Sequence, residues 1–85
     1  MLVVLNHHVN RVIYGFAARA SDLGLSAHGP SPDLARRNLE RLVELYLQPF
    51  QREGTLNEEI QRAGLQVDDD GPSLRVAVAD RTDYA

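Results

Sequence analysis

The feature that most constrains this chain is a helix start written out in full. Ser31-Pro32-Asp33 follows directly on Gly29-Pro30 and opens a long segment with apolar residues at helical spacing. A serine at this position accepts from the free N–H groups of a first turn. Pro32 lacks a donor exactly where a helix cannot use one, and Asp33 complements the positive end of the dipole. The spacing predicts a helix over 32–47. Leu34, Leu39, Leu42, Val43, Leu45, Tyr46 and Phe50 form its broad apolar stripe, with Arg36, Arg37, Glu40, Arg41 and Glu44 on the wet side. So wide a stripe suits one helix lying across a sheet. Pro49 should kink or end it near Leu47, and Gly54 breaks the chain.

Upstream, the pattern is that of strands. Residues 2–5 are a short apolar run, consistent with a buried strand. Asn6-His7-His8-Val9-Asn10 reads as a polar break. Residues 11–20 alternate, with Val12, Tyr14, Phe16 and Ala18 on the face expected to meet the core. Gly15 marks a bulge or a close approach of another backbone. Ser21-Asp22 bends the chain, and Leu23, Leu25 and Ala27 alternate with Gly24, Ser26 and His28 as a third strand. Short strands with short breaks read as an antiparallel meander. Downstream, Thr55-Leu56-Asn57-Glu58 matches a capping box and Gly64 a left-handed cap, predicting a short helix over 56–63. Asp68-Asp69-Asp70-Gly71-Pro72 reads as a loop. Leu74, Val76 and Val78 alternate with Arg75, Ala77 and Ala79 as a final strand.

The expected fold is therefore α+β: an antiparallel three- to four-stranded sheet packed by one long and one short helix, in the order β-β-β-α-α-β. It forms a single domain over 1–85, with the sheet in 1–29, helices in 32–64, the final strand in 73–80 and a frayed tail over 81–85. At 85 residues the core is small, and oligomerisation is a natural source of further buried surface. The apolar strand of Leu74, Val76 and Val78 is the expected oligomer contact.

Composition narrows the function classes. Absence of cysteine excludes a disulfide framework and thiolate metal sites. No apolar run approaches the ~20 residues of a membrane span, and the MLVVL start lacks the basic lead and length of a signal peptide, so a cytoplasmic protein is expected. The net charge is −3 and uneven: residues 1–52 hold six Arg against four acids, and residues 53–85 hold three Arg against eight. That balance argues against a general phosphate-backbone binder and suits a basic partner.

No catalytic constellation stands out, so no enzyme and no cofactor are expected. Adjacent His7 and His8 read as histidines of a polar break, and no Ser, Cys or paired acid is placed beside His28 by the sequence. Asp68 to Asp70 lack the alternating spacing and distal glutamate of a calcium loop. Tyr14 and Phe16 are aromatic enough to stack on RNA bases, but on a core face they would be packing.

Several of these features occur together in a known pattern. A strand (VIYGFAARA) is followed by an Asp22-Leu23-Gly24 step and a strand ending in Gly29. A helix then starts Pro32-Asp33-Leu34-Ala35, runs through Leu39, Leu42, Glu44, Leu45 and Leu47, and ends in Arg52-Glu53-Gly54. Residues 11–54 so resemble the HicB antitoxin family of bacterial and archaeal toxin–antitoxin systems. The family's usual Pro-Asp-Leu-Pro-Gly-Cys bend stands here as Ala20-Ser21-Asp22-Leu23-Gly24-Leu25, and its Thr-x-x-Glu-Ala helix start as Ser31-Pro32-Asp33-Leu34-Ala35.

The resemblance implies a partial ribonuclease H-like domain without nuclease activity. Such a domain binds and inhibits a HicA-like toxin, a small basic RNA-cleaving protein, and commonly forms homo-oligomers. The acidic residues Asp68, Asp69, Asp70 and Asp80 would then be the partner-binding surface, by charge complementarity. Many members carry a helix-turn-helix or ribbon-helix-helix segment. The residues after Gly54 predict only a short helix and a strand, so specific DNA binding is not expected. The alternative is an RNA-binding module using the sheet face, and a third reading is a vestigial nuclease using Asp22 and Asp70.

Overall fold

A computed structural model describes residues 1–69, 71 and 73–79. The fold is α+β with one long and one short helix, as expected. Its elements are β1 (Leu2–Leu5), β2 (His8–Val12), β3 (Gly15–Ala20), β4 (Leu25–Gly29), α1 (Pro32–Glu53), α2 (Leu56–Ala63), β5 (Gln66–Asp69) and β6 (Arg75–Val78). The strands form two three-stranded sheets, ordered β5-β1-β6 and β2-β3-β4. The second is the antiparallel meander, with Val9 opposite Ala18 and Ala18 opposite Ala27. In the first, β1 runs antiparallel to β5 and parallel to β6, with Val3 opposite both Val67 and Val76.

The helix start forms as its residues dictate. Ser31 Oγ accepts from the Leu34 N–H at 3.2 Å, and Pro32 opens the first turn. The helix does not stop near Leu47. It passes through Pro49 and ends at Gly54, which is left-handed at φ 75°. Pro49 deprives only the Leu45 carbonyl of its partner, and Leu45 is 55% exposed, so water can replace the lost bond. Tyr46 and Phe50 rings, 5.4 Å apart, straddle the proline on the inner side.

Ala35, Leu39, Val43 and Leu47 form the fully buried stripe of α1, one residue per turn, against Val3, Leu5, Val9, Ala18 and Ala20. The expected stripe was centred elsewhere: Leu34 and Leu45 are largely exposed and Leu42 is only half-buried. Three expected wet-side residues, Arg36, Glu40 and Glu44, are half-buried because α1 is flanked by both sheets. Gly29 is where α1 comes closest to β4. A Cβ there would lie 2.7 Å from the Ala35 nitrogen.

Three further differences have clear causes. The alternating run 11–20 is not one strand: it reverses at Ile13-Tyr14, so His8 to Asn10 of the supposed polar break belong to β2, with Val9 buried. Gly15, at φ 141°, makes the reversal possible and lies against the Gly29 carbonyl, which a Cβ would meet at 2.6 Å. Asp68 and Asp69 are in β5 rather than a loop; pairing of Val67 with β1 overrides the poor strand preference of aspartate. Thr55 precedes α2 without a side-chain cap bond, so the capping box does not form, although Gly64 closes α2 as a left-handed cap.

Candidate functional site

The most unusual surface lies at the β2–β3 hairpin tip. Ile13 and Tyr14 are 89% and 95% exposed, a reversal of the core position expected for Tyr14. A two-residue hairpin loop ordinarily carries Asn, Asp or Gly; here it carries a β-branched aliphatic residue and an aromatic one. The tip itself forms part of an open pocket of about 800 Å³, which Ile13 and Tyr14 line together with Val12, Phe16, His28, Gly29 and Pro30. Phe16 is one of its walls, half-buried against the core. The Arg11 guanidinium sits 5.5 Å from its ring centroid, within cation–π range. The signal for this site was present in the sequence as Ile13-Tyr14-Gly15, but alternation across 11–20 disguised the turn.

The acidic residues are placed differently. Asp68 is exposed on β5, with its Oδ1 accepting from Gln66 Nε2 at 3.2 Å. Asp69 is the last residue of the same strand. Because β5 pairs only with β1 within its sheet, the acidic stretch starts on a sheet edge. Asp70 and Asp80 lie outside the described residues, as does the tail 81–85.

The residues expected at an oligomer contact are half-buried in their own fold. Leu74, Val76 and Val78 pack at the margin of the core. The outer side of β6 is partly closed, since Glu40 Oε2 accepts from the Val78 N–H at 3.0 Å.

Two polar clusters hold elements together. Glu59 on α2 is buried, yet accepts from Tyr46 Oη at 2.6 Å and from Arg62 Nε and Nη2 at 2.7 and 2.6 Å. The Arg62 and Tyr46 hydrogen bonds hold its carboxyl down at about 2, against the cost of burial. The same bond to Glu59, followed by burial, raises the Tyr46 phenol above its ordinary value. His7, expected in a polar break, is buried, and its Nε2 accepts from Arg36 Nε at 3.1 Å. That contact requires the neutral imidazole. Arg36 Nη1 also pairs with Asp33 at 3.0 Å. His8 and His28 are exposed, on separate strands. Asp22 is exposed in the turn before β4.

Among the described residues, no group of three or more His, Cys, Asp or Glu is placed to hold a metal, and no helix is long and apolar enough to cross a membrane. The arrangement presents two candidate surfaces, one apolar at the hairpin tip and one acidic on β5. No family model matches the chain, and no curated protein or solved structure matches it either.

Proposed function

We propose that this chain is a cytoplasmic protein-binding domain of the HicB antitoxin type, which neutralises a small basic RNA-cleaving toxin by binding it. The observation that carries this reading is the position of the acids. Asp68 stands exposed on β5, an edge strand of its sheet. Negative charge and an open backbone edge are thus offered together, a combination that attracts a basic protein and can extend the sheet into it. Further support comes from the strand pair β3-β4 leading into a serine-capped helix, the strand-strand-helix order on which the resemblance rests, with Val12 to Tyr14 of its first strand in the preceding hairpin instead. On this reading the chain binds its partner without catalysing a reaction. The test is co-expression with a small basic protein encoded alongside: growth arrest by that protein should be relieved, and the two should purify together. Undiminished RNA cleavage at saturating amounts of this chain would reject the reading.

A second reading is favoured by one observation. Tyr14 is fully available to a ligand, and Arg11 lies over Phe16 beside it. Exposed aromatics accompanied by arginine are how sequence-tolerant single-strand binders hold bases. This RNA-binding reading requires affinity that falls steeply with salt and is lost in Tyr14→Ala.

A further inference from the structure

We propose that the β2–β3 hairpin tip is the contact of a two-fold homodimer, in which Ile13 and Tyr14 of each copy enter the pocket beside the other copy's hairpin. This assembly is independent of the toxin reading and stands or falls without it. It also moves the oligomer contact away from β6, whose outer edge is partly closed by Glu40 and whose valines are half-buried in their own core.

The loop residues give the first reason. A tight hairpin gains nothing from Ile and Tyr at its tip, where polar or small residues suit the turn better. Their own fold leaves both almost completely in water. Such a pair is explained by something that covers it.

The second reason is self-complementarity. The tip residues Ile13 and Tyr14 are themselves one side of the pocket, and Val12, Phe16 and Pro30 line it with them, so knob and hole adjoin on one molecule. A two-fold axis between them seats both tips at once, as an isologous interface requires. A different protein would have to supply both a matching hole and a matching knob.

Area provides the third. A tyrosine side chain presents about 200 Å² when free, and Tyr14 is 95% exposed with Ile13 close behind. Wholly covered, two tips and the rest of the linings amount to at most roughly 1,000 Å², the threshold for a specific interface. No carboxylate lines the pocket among the described residues, and Arg11 is already drawn over Phe16. The contact is therefore apolar, with little dependence on salt, unlike RNA binding.

Sedimentation equilibrium of the full chain from about 1 to 200 μM, the range in which micromolar interfaces populate, should show a dimer at low and at high salt. Ile13→Asn combined with Tyr14→Asp, both turn-compatible, should weaken it by more than about tenfold while leaving the circular dichroism spectrum unchanged. Because the chain has no cysteine, mixing Tyr14→Cys chains with His28→Cys chains should give a disulfide-linked heterodimer under mild oxidation. Replacing the second partner with Arg52→Cys, on exposed α1, should not. These single exposed substitutions decide the matter even if the double variant fails to fold. A monomer throughout, a dimer indifferent to the tip substitutions, equal cross-linking with Arg52→Cys, or a monomer holding a mixed 20-nucleotide RNA tightly through Tyr14 would each overturn the proposal.

Discussion

Glu40 and Val78 are joined across the molecule: the Glu40 carboxylate on α1 accepts the Val78 N–H of β6 at 3.0 Å. Arg75 and Ala79 donate their N–H groups to Met1 and Leu5 carbonyls at 2.8 Å, towards β1. The Val78 N–H therefore points away from β1, and Glu40 occupies a donor that another chain would otherwise find. Two residues earlier, Asn38 Nδ2 donates to the His28 carbonyl on β4 at 2.7 Å. One helix thus grips both sheets through polar groups as well as through its buried stripe, and each grip removes part of an exposed edge.

Glu40→Ala is accordingly expected to cost about 1–2 kcal/mol, the usual loss for a partly buried, charge-assisted hydrogen bond. Glu40→Gln should keep most of it, because its amide oxygen can still accept. Arg37→Ala, on exposed α1, should cost less than about 0.5 kcal/mol. Urea melts of the three variants make the comparison; equal losses at Glu40 and Arg37 would show that the bond contributes nothing.

Acid should reveal the Glu59 cluster. Its carboxyl is held at about 2 in the folded chain, against an ordinary value of 4.5. A depressed acid contributes stability that is complete above the unfolded value and lost as pH falls through the folded one. The window is therefore from about pH 4.5 down to 2. Melting temperature should fall there more steeply in the native chain than in Glu59→Gln. Tyr46, with its phenol raised, has the opposite sign and should lose its contribution above its ordinary value, at alkaline pH. Parallel acid curves for the native chain and Glu59→Gln would dismiss the cluster as a source of stability.

The buried stripe of α1 yields a sharper test of the helix–sheet contact. Leu39 is completely buried, whereas Leu42 is half-buried and Leu45 is 55% exposed. Leu39→Ala should cost about 2–5 kcal/mol, enough to unfold so small a domain. Leu42→Ala should cost clearly less, and Leu45→Ala under about 0.5 kcal/mol. Thermal melts ranking Leu42 or Leu45 above Leu39 would mean that the helix presents another face to the sheets.

Those positions also show where the sequence is legible. Ser31, Gly54 and Gly64 act through their own backbone and its nearest turns, so each could be read locally and each is where it was expected. The exact buried stripe could not, because Arg36 and Glu40 are drawn inwards by His7 and Val78, which are far away in sequence. Strand β5 was hidden for the same reason: Asp68 and Asp69 resist strand formation by themselves, and only the distant β1 recruits them. The hairpin at Ile13-Tyr14 was obscured differently, by apolar residues standing where turn residues normally stand. The two candidate surfaces thus lie in places where local rules gave the wrong element.

Close approach at Gly29 supplies another expectation. A methyl group there meets the Ala35 nitrogen at 2.7 Å and the Leu34 carbonyl carbon at 2.9 Å, both backbone atoms unable to swing aside. Gly29→Ala should therefore push α1 off β4 and cost roughly 1–3 kcal/mol. Gly24→Ala meets no atom within 4 Å, and bears only the strain of φ 66°, about 1 kcal/mol. Chemical denaturation should rank Gly29 as the more damaging site. An equal or smaller loss at Gly29 would mean that the helix and strand have room to separate there.

The last expectation concerns the acidic tract as a steering surface. Asp68 is exposed on an edge strand, and charges so placed act mainly on the rate of encounter with an oppositely charged protein. Replacing Asp68, Asp69 and Asp70 together by Asn removes three negative charges without removing an apolar group from the core. Stopped-flow association with the basic partner should slow by about tenfold or more at low salt and lose most of its salt dependence. Dissociation should change less, because it depends on the close contact rather than on the approach. The variant should keep the native circular dichroism spectrum, which separates a lost charge from a lost strand. An association rate unaltered by the triple substitution would remove this edge from the proposed recognition of a basic toxin.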